Sequence, residues 1–418
     1  DYRGLLTNET NLVPPHESDD ELAVMSDISS VSTDDYYARV VGNDRAIDLG
    51  HGRITINSEE EGYKILEKIK HYENNSDITN WRTKITLVAD DGFSGTENEK
   101  GDGPMFVDDS EDFSKSRVPS FLEQKKIYLV EYPSQYTGAG IKKPGVNSDI
   151  LKTVNEEGCL LLNWYGHGNP QVWAHESVLD RDVSIRQMTN YDRLFFLTAA
   201  TCDFAKIDNF EAQSGAELML LNEYGAAIGV FGSTRIVYAS QNHAINREFY
   251  KQLFTREADG SYPTLGDVIF NVKQTFNQTN DEKYFLLGDP TLRLLIPKYD
   301  IVFDSINGVE LNDTSNVTVK GLQEVKVKGH ISFDNNNDKI VSDFNGKVKI
   351  KVLDGSLDIE ISDILNRKYD FEKFGGTLSN ANFEVINGSF EAKFILPKDI
   401  SFSENKGQIF GYAYTDDN

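Results

Sequence analysis

Five short runs, apolar at most positions and separated by amphipathic stretches, constrain this chain more than any other feature. They are "TKITLVADDG" from Thr83, "KKIYLVEYP" from Lys125, "CLLLNWYG" from Cys159, "RLFFLTAA" from Arg193 and "AAIGVFGS" from Ala226. A strand without polar alternation must be buried on both faces, which predicts a mostly parallel sheet with helices on either side. The intervening segments supply those helices. Asn57 or Ser58 can cap one, three glutamates (Glu59, Glu60, Glu61) occupy its first turn, and Leu66, Ile69 and Tyr72 recur at helical spacing. "NSDILKTVNEEG" reads as a helix closed by Gly158, and "SGAELMLLNEYG" as one ending on Gly225. "NHAINREFYKQLF" and "TLGDVIFNVKQTF" predict two more.

Near Pro297 the pattern changes. Short alternating strands such as "EVKVKGHISF", "GKVKIKVLD" and "GQIFGYAYTD" follow, punctuated by Gly, Pro and Asn. They predict an antiparallel β-sandwich of the Ig-like kind. The expected organisation is a linker or extension over 1–30, an α/β domain over 31–297 and a sandwich over 298–418. The α/β domain is expected to divide at about 115, into 31–115 and 116–297. The chain opens on Asp1, not Met, which predicts a processed or excised piece of something longer.

A formal charge of −25, from 42 basic and 67 acidic residues, repels phosphate backbones, so no nucleic acid is expected as a partner. Two cysteines, Cys159 and Cys202, exclude a disulfide scaffold and a four-cysteine zinc site. No HExxH, GxGxxG or GxxxxGK[ST] pattern occurs, and "FGSTR" is not a serine nucleophile elbow.

In an open α/β sheet, sites form beyond the carboxyl ends of the strands. His167 follows "LLNWYG" and Cys202 follows "LFFLTAAT", 35 positions further on, so both are expected on one rim. A cysteine thiolate there can attack a peptide carbonyl while the imidazole manages protons. Gly168 leaves the backbone bare for a substrate, and its N–H can join that of Cys202 as an oxyanion donor. Taken singly, a His beside Gly is commonly a turn residue and a Cys a small core residue; the matched strand ends favour chemistry. Cys159, inside its strand, is expected in the core, and His175 has no apolar strand leading into it.

"YGHGN" with "LTAATC" resembles the histidine-glycine and alanine-cysteine blocks of the gingipain family of cysteine peptidases, whose fold is caspase-like. "SGAELMLLNEYGAAIGVFGSTRIVYASQN" and "KYFLLGDPTLRLLIP" continue the likeness, and "TDDYYARV", "DLGHGRI" and "LVADDG" precede it in family order. The resemblance implies Cys202 as nucleophile, His167 as general acid/base and Gly168 as oxyanion donor. It puts Tyr238 where gingipains carry an aromatic on the substrate pocket. It implies an acidic partner for the histidine, with Asp108, Asp109 and Glu111 as candidates, and acidic loops at Asp34, Asp35, Asp90, Asp91 and Asp102 suited to structural calcium. No cofactor is expected for the chemistry itself. Within the family, "TRIVYASQN" and the following sandwich are most similar to the sortase of type IX secretion. That likeness implies removal of a C-terminal sorting domain from secreted cargo through a thioester and transfer to an amine on lipopolysaccharide. The setting it implies is the cell surface at the outer membrane, with the β-barrel PorV as partner. A protease that only hydrolyses, or an inactive cargo-binding scaffold, would carry the same blocks. Nothing marks an Arg- or Lys-specific pocket.

Overall fold

The computed structural model describes residues 13–19, 30–93, 101–138, 140–209, 212–312, 315–333, 339–401 and 405–415. Most of the expected N-terminal segment, 1–30, lies outside these, apart from a strand His16–Asp19 that pairs antiparallel with Ser30–Thr33. The apolar runs become β1 (Lys84–Ala89), β2 (Glu123–Tyr128), β3 (Leu161–Tyr165), β4 (Phe195–Ala200) and β5 (Ala227–Ser233). With β6 (Tyr284–Leu287) they form one six-stranded sheet, ordered β6-β5-β4-β3-β1-β2. All neighbours are parallel except β5 and β6. This sheet runs through both of the expected subdomains, since β1 pairs with β2 across the anticipated division at 115.

Successive residues of each strand point to opposite faces, and both faces are covered. Leu161, Phe196 and Phe231 pack in one core with helices α1 (Glu59–Glu73), α2 (Met105–Ser116), α5 (Ala239–Leu253) and α6 (Leu265–Thr275). Leu162, Leu197 and Val230 pack in a second, with α3 (Pro144–Lys152) and much of α4 (Gly215–Leu221). Ser58 caps α1 as read, accepting from the Glu61 N–H at 3.1 Å. Helix α4 stops at Leu221, short of Gly225, because the buried Lys68 ammonium gathers the carbonyls of Met219, Leu220, Asn222 and Gly225 at its end. Helix α2 occupies "MFVDDSEDF"; Phe106, Val107 and Phe113 bury its inner face.

From Tyr299 the chain is antiparallel. Its strands are β7 (Tyr299–Ile306), β8 (Val309–Glu310), β9 (Glu324–Phe333), β10 (Gly346–Leu353), β11 (Leu357–Ser362), β12 (Lys368–Lys373), β13 (Thr377–Ile386), β14 (Ser389–Ile395) and β15 (Gln408–Tyr414). Seven of them form a sheet ordered β8-β7-β9-β14-β13-β10-β15. It curls until Gly411 of β15 meets Ile301 of β7, enclosing Val327, Ile331, Val348, Ile350 and Ala392 in the sandwich interior. Strands β11 and β12 leave this sheet as a separate hairpin. No helix among the described residues is long and apolar enough to cross a membrane.

Candidate active site

Strand register builds the site. Ala200 of β4 lies opposite Tyr165 of β3, and two residues beyond that rung stand Cys202 and His167. Glycine makes the juncture possible. A Cβ on Gly168 would sit 2.5 Å from Thr201 Oγ1, so the histidine loop lies directly on the residue before the cysteine. A Cβ on Gly166 would come within 2.6 Å of Asp90 Cβ. That free space lets Asp90, at the end of β1, reach across β3: its N–H donates to the Tyr165 carbonyl at 2.9 Å, and its Oδ2 accepts the His167 N–H at 3.0 Å.

The imidazole is held too. His167 Nε2 lies 2.7 Å from Asp102 Oδ2, with side chains 38% and 40% exposed. An Nε2–H donated to Asp102 leaves Nδ1 with the lone pair a general base requires. Phe106 and His175 meet the ring edge-on at 5.1 and 5.0 Å. Asp102 was anticipated as a calcium ligand. The anticipated acidic partners lie on α2 and are otherwise engaged: Glu111 pairs with Lys126 and accepts from Tyr128, and Asp109 faces His243. Asp108 makes no ion pair with a described residue. Helix α2 turns its acidic residues toward β2, α5 and the sandwich hairpin, while the loop before it meets His167.

Cys202 is half-buried, its Sγ 3.6 Å from the Val237 carbonyl oxygen. Burial pushes its thiol above the ordinary value, so the sulfur rests protonated at neutral pH and a base must take its proton. Ser233 Oγ donates to the Thr201 carbonyl at 2.6 Å, and the Asp203 N–H to Arg235, at a left-handed φ of 54°. These bonds turn the chain sharply at the sulfur. Gly168 occupies the non-bonded position of a bridge with Trp173, in which Asn169 donates to Val172 and Ala174 to His167. Its N–H makes no bond across that bridge and, among the described residues, none to another acceptor, as an oxyanion donor requires. Tyr238, 60% exposed, follows Val237, whose carbonyl meets the sulfur. Cys159 is core, with its thiol pushed up to about 11 by burial.

The five acidic residues read as calcium ligands do not converge. Asp34 pairs with Arg53, Asp35 lies between Lys273 and His51, and Asp102 holds His167. Asp90 and Asp91 do lie together, joined by Glu176, which sequence reasoning passed over; their carboxylate oxygens fall within 4.8 Å of one another. Lys143 pairs with Asp91. Both Glu176 oxygens are buried with no hydrogen-bond partner among the described residues. This trio fits a hard cation by donor type. The same excess charge is also relieved by protons: burial pushes Glu176 up to about 8, and burial with the Asp91 charge pushes Asp90 to about 6.

Comparison with known proteins accords with this geometry. The family model described as peptidase family C25 matches residues 1–295. Gingipain R2 of Porphyromonas gingivalis is 23% identical over 176 residues, 41% of this chain; the chain covers only 21% of that relative's length. The crystal structure of the Arg-specific cysteine proteinase gingipain R superposes with a TM-score of 0.50 at 16% identity, over 92% of this chain and 77% of that one. Dimeric latent PorU from Porphyromonas gingivalis is 21% identical over 96% of this chain and 31% of its own, with a TM-score of 0.35. The fold is thus the gingipain, caspase-like one, followed by its sandwich. With seven-tenths of its length matched, this chain belongs to peptidase family C25.

Proposed function

We propose that this protein is a cysteine endopeptidase and transpeptidase, a sortase that removes the C-terminal sorting domain of secreted cargo. One observation carries the reading: Cys202 and His167 lie equally far past one rung of a parallel strand pair, with Asp102 on the imidazole. His167 takes the Cys202 proton as sulfur attacks the scissile carbonyl. The Gly168 and Cys202 N–H groups receive the developing oxyanion. Collapse breaks the C–N bond; the leaving amine takes the proton from the imidazolium, and the cargo stays on sulfur as a thioester. An incoming amine then loses its proton to His167, forms the amide and frees the thiol; water in its place completes hydrolysis.

The acceptor we assign is an amine on lipopolysaccharide, and the setting the outer-membrane surface beside PorV. Support for these finer statements is the motif likeness around "TRIVYASQN" and the following sandwich. The chemistry asks for no cofactor; calcium, where bound, has Asp90, Asp91 and Glu176 as its ligands and takes no part in the steps.

The test is incubation with cargo bearing a sorting domain, with and without a primary amine, followed by mass spectrometry. A cargo amide of the added amine supports transfer. Only a free carboxylate limits the protein to hydrolysis. Intact cargo, with Cys202 unlabelled by a thiol-reactive peptide, would leave it a scaffold.

A further inference from the structure

The hairpin β11–β12 belongs to the sandwich by chain order but not by packing. Its strands pair from Leu357–Lys373 to Ser362–Lys368, and among the described residues neither joins the seven-stranded sheet. Instead Tyr369 and Phe371 enter the core of the α/β domain, Phe371 edge-on to Tyr128 with ring centres 5.0 Å apart. Lys126 donates to the Glu372 carbonyl at 2.7 Å, and Lys373 pairs with Glu131 at 2.6 Å. The hairpin is therefore anchored along its length on the domain that holds the cysteine.

Its turn reaches the supports of the histidine. Asp363 folds the turn by accepting from the N–H groups of Leu365 and Arg367, both at 2.9 Å, and pairs with the Arg367 side chain. Arg367 lies over the loop carrying Asp102: a Cβ on Gly101 or on Gly103 would stand 3.4 Å from its Nη1. Both glycines adopt left-handed φ values, 50° and 61°, so a side chain on either would be strained as well as crowded. Between them, Asp102 bonds His167 Nε2. The second tether is Tyr369, whose hydroxyl donates to the Asp91 carbonyl at 2.6 Å, one residue past the Asp90 that accepts the His167 N–H. Both carboxylates that hold the histidine thus rest on one element of the following domain.

We infer that the β11–β12 hairpin positions His167, with Arg367 steadying the Asp102 loop and Tyr369 the Asp90–Asp91 turn. Neither side chain touches the reacting atoms. This rests on the cysteine–histidine reading above. Misplacing a catalytic group by about 1 Å can cost roughly 100-fold, so the hairpin is part of the enzyme and not an appended module.

The test uses the full chain and the rate of Cys202 alkylation by iodoacetamide from pH 5 to 10, compared with His167→Ala, Arg367→Ala, Arg367→Lys and Tyr369→Phe. In the parent protein, alkylation near neutrality is expected to depend on His167. Arg367→Ala and Tyr369→Phe are expected to slow it about tenfold and move the profile toward that of His167→Ala, with far-ultraviolet circular dichroism unchanged and partial recovery in Arg367→Lys. Profiles of Arg367→Ala and Tyr369→Phe that overlay the parent's would overturn the inference. If Arg367→Ala fails to fold, Tyr369→Phe, which removes one oxygen, decides alone. A parent rate indifferent to His167→Ala would instead sink the cysteine–histidine reading on which this rests.

Discussion

Tyr165 and Ala200 oppose each other across the parallel β3–β4 pair, and that rung sets His167 and Cys202 level on one rim. The catalytic reading follows from a register and a shared offset of two residues, and it makes Cys202→Ala the first variant to examine. Cleavage should vanish while the fold persists, because a half-buried sulfur replaced by hydrogen leaves a small gap costing on the order of 1 kcal/mol. Thermal melting together with cargo cleavage checks both halves; surviving cleavage would remove the sulfur from the mechanism.

Asp102→Asn should lower kcat by roughly 10- to 100-fold with little change in KM, since the amide stabilises the wrong imidazole tautomer and no longer balances imidazolium charge. Asp108→Asn should leave turnover alone. Glu111→Gln should act on stability, because it removes the charge facing the half-buried Lys126 ammonium, which keeps the Glu372 carbonyl, at a cost of about 2 kcal/mol. Steady-state kinetics beside denaturant melts separates these three.

Gly168→Ala forces a methyl against Thr201 Oγ1 and Cγ2, at 2.5 and 3.2 Å. Activity should fall by at least tenfold as the oxyanion donor shifts. Adding Thr201→Ala removes both crowding atoms and should restore part of it. A double-mutant cycle reads that coupling; strict additivity would mean that the two loops do not bear on each other.

Glu176, only 1% exposed, makes stability fall as pH rises. Its folded value of about 8 exceeds the ordinary 4.5, so between those limits the folded protein holds a proton that the unfolded chain releases. The slope approaches about 1.4 kcal/mol per pH unit at most. Glu176→Gln should flatten this dependence and melt higher than the parent at pH 8, with no advantage near pH 4. Denaturant midpoints across that range decide it, and parallel curves for the two proteins would refute the assignment.

The architecture was legible because buried strands and capped helices announce themselves locally: "CLLLNWYG" and "RLFFLTAA" needed no partner to be read as strands, and Ser58 ahead of three glutamates announced α1. Cys202 and His167 were legible for the same reason, since a strand end is a local event. Asp102 was not. Its role depends on two left-handed glycines and on an arginine 265 positions away in the chain, at 367. Glu176 was missed because "VWAHESVL" shows no pattern; only the fold brings it to Asp90 and Asp91. Helix α2 was hidden by its acidic surface, which masked the buried Phe106, Val107 and Phe113.

Because Tyr369 and Phe371 complete the interior of a domain synthesised before them, the order of translation bears on when cutting can begin. A ribosome that has released residues 1–297 has made the nucleophile and its base but not the hairpin that steadies them. Synthesis of residues 357–373 would then quicken a site that is slow while the chain is still nascent, limiting damage to the cell's own polypeptides.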